Sequence, residues 1–310
     1  MSRLAKYRES IERFMKNNEI LKDCPIDIKE YTKDNDYFLP ITLLTIFNSQ
    51  SKKNNVASQG YYVASCVVLI HILMDNEFSK EITIELLFIL NRLLYCNLDN
   101  SKDFVPQKKI GNVILSTLKI YETELTNVMK NPIQYIELSD NSLSIDVSKW
   151  YLKDESIEES LKKAKMINKS SFEDYLNNTV CSLCNIVFGI GWVMGCGGDS
   201  KMDKMKKISY NFGIIYKLSH DFDNLKKDAA NLNQMGNNTI SYNYILNYGF
   251  DDAYGRFMES KYKLIEGLMV LEVNTQTIKE IINNIDHKVD LIIDETSPDT
   301  KSNYSCIRDA

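Results

Sequence analysis

Residues 208–228 read ISYNFGIIYKLSHDFDNLKKD. Apolar residues fall at Ile208, Phe212, Ile215, Leu218, Phe222 and Leu225. Gaps of three and four put them on one face of a helix. His220, Asp221 and Asp223 sit on the same helix, within a turn of one another. An unpaired buried carboxylate is costly, so these acids either reach water at a helix end or hold a cation in a cavity.

Working outward, a second acidic cluster closes a nearly all-apolar stretch at 57–76. It reads VVLIHILMDNE over 67–77 and carries His71 and Asp75. A helix apolar all round belongs in the centre of a bundle. Further helices are predicted over 2–18, from about 40 to 50, over 80–97 and 108–130, and near 155–167. A capped run begins at Ser170, passes through CSLCNIVFGIGWVMG and ends at Gly195–Gly198. The central helix is expected over 202–227, with others over 240–247, 250–272 and 275–289. Residues 23–34 read as a connector, 131–150 as a loop or short hairpin, and GNNT at 236–239 as a turn. With no repeat and no linker, the pattern predicts one all-α domain over 1–293 and a polar tail over 294–310.

Composition excludes several classes. The formal net charge is −5, so there is no basic footprint for nucleic acid. The apolar run around Val180–Met194 is broken by Ser182 and Asn185 and is too short to predict a membrane span. The charged N-terminus is no signal peptide. Seven scattered cysteines make a poor disulfide framework, which points to a reducing, cytoplasmic setting. Cys181 and Cys184 form a lone CxxC with no second ligand pair, so packing is the expected role rather than zinc. The glycines of GIGWVMGCGG follow a helical pattern and lack dinucleotide-fingerprint spacing. No Ser/His/Asp arrangement can be assembled from three histidines, and no catalytic residue is identified.

The two acidic clusters resemble the aspartate-rich motifs of the trans-isoprenyl diphosphate synthases (polyprenyl synthetases), in order and spacing over roughly residues 30–270. Leu69-Ile70-His71 matches the lead-in to the family's first Asp-Asp-x-x-Asp. Ile72, Leu73 and Asn76 then stand at its three aspartates, with Asp75 one place out of register. In the second motif, Gly213 precedes Tyr216-Lys217-Leu218, where the family has Phe-Gln-Ile. His220, Asp221 and Asn224 follow at the aspartates, so only Asp221 is in register. Lys169-Ser170 stands at the family's Lys-Thr, and Gly236 to Thr239 at its Gly-Lys-x-Thr, with Asn237 replacing the lysine. Asp36, Tyr37 and Leu39 occupy the diphosphate-gripping segment that ends at Pro40.

The resemblance implies an isoprenoid-synthase-type bundle around a central cavity. It also implies a homodimer, or a heteromer with an active family member. It assigns prenyl diphosphate contacts to His71, Lys169, Lys217 and Thr239. Magnesium, at most at a reduced site, would fall to Asp75, Asp221 and Asp223, because carboxylates a turn apart share such ions. Two functions follow: a silent binding, scaffold or regulatory subunit, or a working prenyltransferase with a reduced metal site. The plainer alternatives are polar residues at a cavity mouth with no ligand, and an unrelated helical interaction protein.

Overall fold

Side-chain caps start the N-terminal helices. Ser2 Oγ accepts the Ala5 N–H ahead of α1 (Arg3–Asn17), and Asn18 does the same for Ile20 ahead of α2 (Glu19–Lys22). Asp27 caps α3 (Ile28–Thr32) through the Lys29 N–H. The stretch 23–34, expected to be a plain connector, therefore contains a helical turn, and Asp27 is its cause. The computed structural model describes residues 2–33, 35–50, 57–103, 105–130, 135–137, 167–235 and 239–296. Residues 155–166 of the helix expected near 155–167, the turn residues 236–238 and most of the tail lie outside the described residues.

The chain divides into two compact units. The first comprises 1–132, 177–213 and 263–282; the second comprises 133–176, 214–262 and 283–310. In the first unit, α5 (Ala57–Asp75) packs against α4 (Phe38–Gln50) and α6 (Lys80–Asn100). As its composition predicts, α5 is buried along its length, from Val63 to Leu73 with only His71 partly exposed. Gly60 allows the close approach to α4: a Cβ there would meet Leu44 at 2.7 Å. Next comes α7 (Ile110–Lys130). The run predicted as one helix from Ser170 is three pieces and a π-turn: α8 (Lys169–Asn178), α9 (Val180–Asn185), the π-turn Ile186–Ile190 and α10 (Gly191–Met194). Its cap is Asn168, which accepts the Ser171 N–H at 2.8 Å, and not Ser170. Gly191 faces the Leu43 carbonyl, where a Cβ would sit 2.9 Å away, so the π-turn and α10 lie tight on α4.

In the second unit, β1 (Tyr135–Glu137) pairs antiparallel with β2 (Thr239–Ser241), Ile136 opposite Ile240. The strand at 135–137 thus finds a partner far along the chain instead of a local hairpin. The helix expected over 240–247 begins only at Tyr244, giving α12 (Tyr244–Tyr248), because Asn243 caps it through the Ile245 N–H. Three long helices, α11 (Met202–Met235), α13 (Phe250–Val270) and α14 (Gln276–Glu295), contribute residues to both units. The fold class is all-α, with one short strand pair among the described residues. Lys169–Met194 is long and apolar enough to cross a membrane, but its most apolar stretch is 83% buried within the protein, as a core helix is.

Candidate functional site

The six apolar residues that predict α11 are all buried, and the helix carries two charges inward with them. Lys217 and Asp221 are one turn apart; Asp221 is 1% exposed and Lys217 9%. The Lys217 ammonium donates to Asp221 Oδ1 and, at 3.0 Å, to the Tyr242 carbonyl. Asp221 Oδ2 accepts the Tyr244 backbone N–H at 3.0 Å. Both carboxylate oxygens are therefore engaged by the protein itself. Asn243 ties the same region together. Its Nδ2 donates to the Asp221 carbonyl at 2.9 Å and to Asp228 Oδ2 at 2.8 Å.

Burial pushes the Asp221 carboxyl up to about 6; Lys217 and the Tyr244 N–H oppose the rise, and Asp228 adds to it. The sign follows from linkage. A folded value above the ordinary 3.8 means the folded chain holds the proton longer, so stability from this group is full below 3.8 and is lost as pH rises through about 6. Replacing both charges by apolar groups, Lys217→Met with Asp221→Leu, removes that loss. The double variant should gain about 3 kcal/mol on the native protein between pH 4 and pH 7, read as the difference between two denaturant titrations.

The other predicted residues are placed separately. Asp223 is exposed and pairs with Lys288 at 2.7 Å. His220 lies edge-on to the Tyr216 ring at 4.6 Å. Lys169 is exposed, 3.7 Å from Asp252 and 5.7 Å over the Tyr248 ring. Thr239 belongs to β2 by its backbone, and its side chain is outside the described residues. All of these lie in the second unit; His71 and Asp75 lie in the first. Asn35 Oδ1 accepts the Tyr37 N–H at 2.7 Å, which turns its amide nitrogen to His71 Nδ1 at 3.1 Å. Nδ1 is then the acceptor, and Nε2–H faces Asp75 Oδ2 at 3.3 Å. Ile72 and Leu73 are 2% and 5% exposed, packed in the core. Among the described residues, no group of three or more His, Cys, Asp or Glu side chains is arranged to hold an ion.

No protein-family model and no curated protein matches the chain. Among solved structures, an FPP/GFPP synthase from Zymomonas mobilis aligns over 91% of this chain and 98% of its own, at 10% identity and a TM-score of 0.57. The fold is that of the trans-prenyl diphosphate synthases. A geranyl diphosphate synthase small subunit from Antirrhinum majus aligns over 92% of this chain and all of its own, at 16% identity and TM-score 0.45. A geranylgeranyl pyrophosphate synthetase from Geoglobus acetivorans does so over 98% and 93%, at 13% identity and TM-score 0.46.

Lys217, which the resemblance sets at the motif's glutamine, pairs with Asp221, the aspartate it sets in register. Sequence reasoning singled out both residues but not their pairing, and it missed Asn243, Tyr244 and Asp228. For Asn243 a signal was present: an Asn directly before Tyr244-Ile245-Leu246 is N-cap material. For the ion pair of Arg256 with Glu173, at 2.5 Å, the sequence separation hides any signal.

Proposed function

We propose that this protein is a cytoplasmic, catalytically silent relative of the prenyl diphosphate synthases, acting as a binding, scaffold or regulatory subunit. The Lys217–Asp221 pair carries this reading. The resemblance gives Asp221 a share of the magnesium that neutralises a departing diphosphate; here a lysine one turn away already supplies the positive charge. Asp36, Tyr37 and Leu39 supply no cation in the second diphosphate segment, and Asn237 replaces the lysine of the later one. A second reading, an active prenyltransferase with a reduced metal site, is favoured by Asp75 and Asp223. Both are exposed, and the surface ion pair of Asp223 with Lys288 opens at little cost.

A binding role is tested by thermal denaturation with geranyl or farnesyl diphosphate. A ligand that prefers the folded chain raises its stability by mass action, and the rise should be the same with magnesium as with chelator. Stabilisation that needs magnesium would count for the second reading.

Assembly is supported by α6, where Ile84, Phe88 and Tyr95 are each more than half exposed. Their spacing of four and seven puts them on one stripe, and apolar stripes of this kind mark interfaces. Light scattering at micromolar concentration should give a dimer for the native chain and a monomer for Phe88→Glu. A native monomer that also fails to join an active synthase would remove the subunit reading.

A further inference from the structure

A cavity of about 680 Å³ opens in the first unit among α1, α2, α3 and Tyr37. It includes neither His71 nor Asp75. Its floor is apolar, with Met15, Leu21, Ile26 and Ile28, and its volume is that of a small-molecule site. Its charges do not balance. Glu12 is held by Arg8 at 2.8 Å and Glu9 by Arg13 at 3.0 Å. Asp27 is occupied as the α3 cap. Lys16, Lys29 and Lys33 also line the cavity, and none of the three has a carboxylate partner among the described residues. On a chain of net charge −5, this is a locally positive hollow.

Tyr37 adds an independent sign. It is buried and held at φ 60°, a left-handed conformation that a bulky residue rarely adopts. Asn35 holds its N–H, and the Arg8 guanidinium lies over its ring at 5.0 Å. Strained backbone of this kind persists where the surroundings fix it, and it gathers at binding sites.

We propose that this cavity binds a small amphipathic anion: an organic phosphate or diphosphate whose apolar body rests on Met15, Leu21 and Tyr37 while its head meets Lys16, Lys29 and Lys33. The site is independent of the Lys217–Asp221 region. Calorimetry on the full chain tests it, with octyl phosphate and inorganic phosphate as probes. Octyl phosphate should bind at least about tenfold more tightly than inorganic phosphate, since burying its chain adds to the same head contacts. The exposed triple variant Lys16→Glu, Lys29→Glu, Lys33→Glu should weaken octyl phosphate at least about tenfold, because its charges reverse at the head, with an unliganded melting temperature equal to the native one. The proposal is overturned if octyl phosphate does not bind, if it binds no better than inorganic phosphate, or if the triple variant binds it as well as the native chain.

Discussion

Lys217→Met should destabilise the protein by about 3–5 kcal/mol at pH 8, the usual cost of breaking a buried pair from one side. The cause is the carboxylate left behind. Asp221 is 1% exposed and, even with its lysine, is pushed up to about 6. Without the ammonium its folded value climbs further. Native and variant stabilities then fall together between pH 4 and 6; above 6 the native curve levels off for this group, while the variant keeps falling until its own higher value is reached. Denaturant titrations at pH 5 and pH 8 measure the gap. It should be small at pH 5 and large at pH 8, and the variant's fall with pH should disappear when Asp221→Leu is added. A gap of equal size at both pH values would mean the lysine acts through packing alone.

Rebuilding the first motif should fail by unfolding rather than by missing chemistry. Ile72→Asp and Leu73→Asp restore the aspartates that the resemblance expects, but both side chains lie in the core of the first unit. A carboxylate placed there has no cation on hand, and its burial costs several kcal/mol. The double variant should lose most of its cooperative melting transition by circular dichroism. If it melts like the native chain and binds magnesium, those positions face water or an ion, and the account of α5 is wrong.

The fold was legible because its signal is periodic. The stripe from Ile208 to Leu225 and the nearly all-apolar stretch 57–76 predict two core helices; the stripe is buried, and so is Val63 to Leu73 apart from His71. Boundaries set by single side chains were harder: Asn168 and Asn243 cap helices that the pattern starts elsewhere. The pairing of Ile136 with Ile240 joins residues about a hundred apart, and no local pattern encodes it. For the site, the resemblance named acids it expects and does not find at Ile72, Leu73 and Asn76. Sequence could not show that Lys217 turns inward onto Asp221, because an i,i+4 Lys–Asp pair reads the same on a solvated face as in a core.

The most direct measurement is turnover. Purified protein is incubated with magnesium, isopentenyl diphosphate and allylic diphosphates of increasing length, and products are read by mass spectrometry. Losing one oxyanion-type contact costs about 10²–10³ in rate, and the proposed reading has this chain lacking several. The expected result is no product above the no-enzyme background. Magnesium-dependent product that disappears in Asp221→Ala and Asp75→Ala would contradict the account and establish a reduced but working metal site.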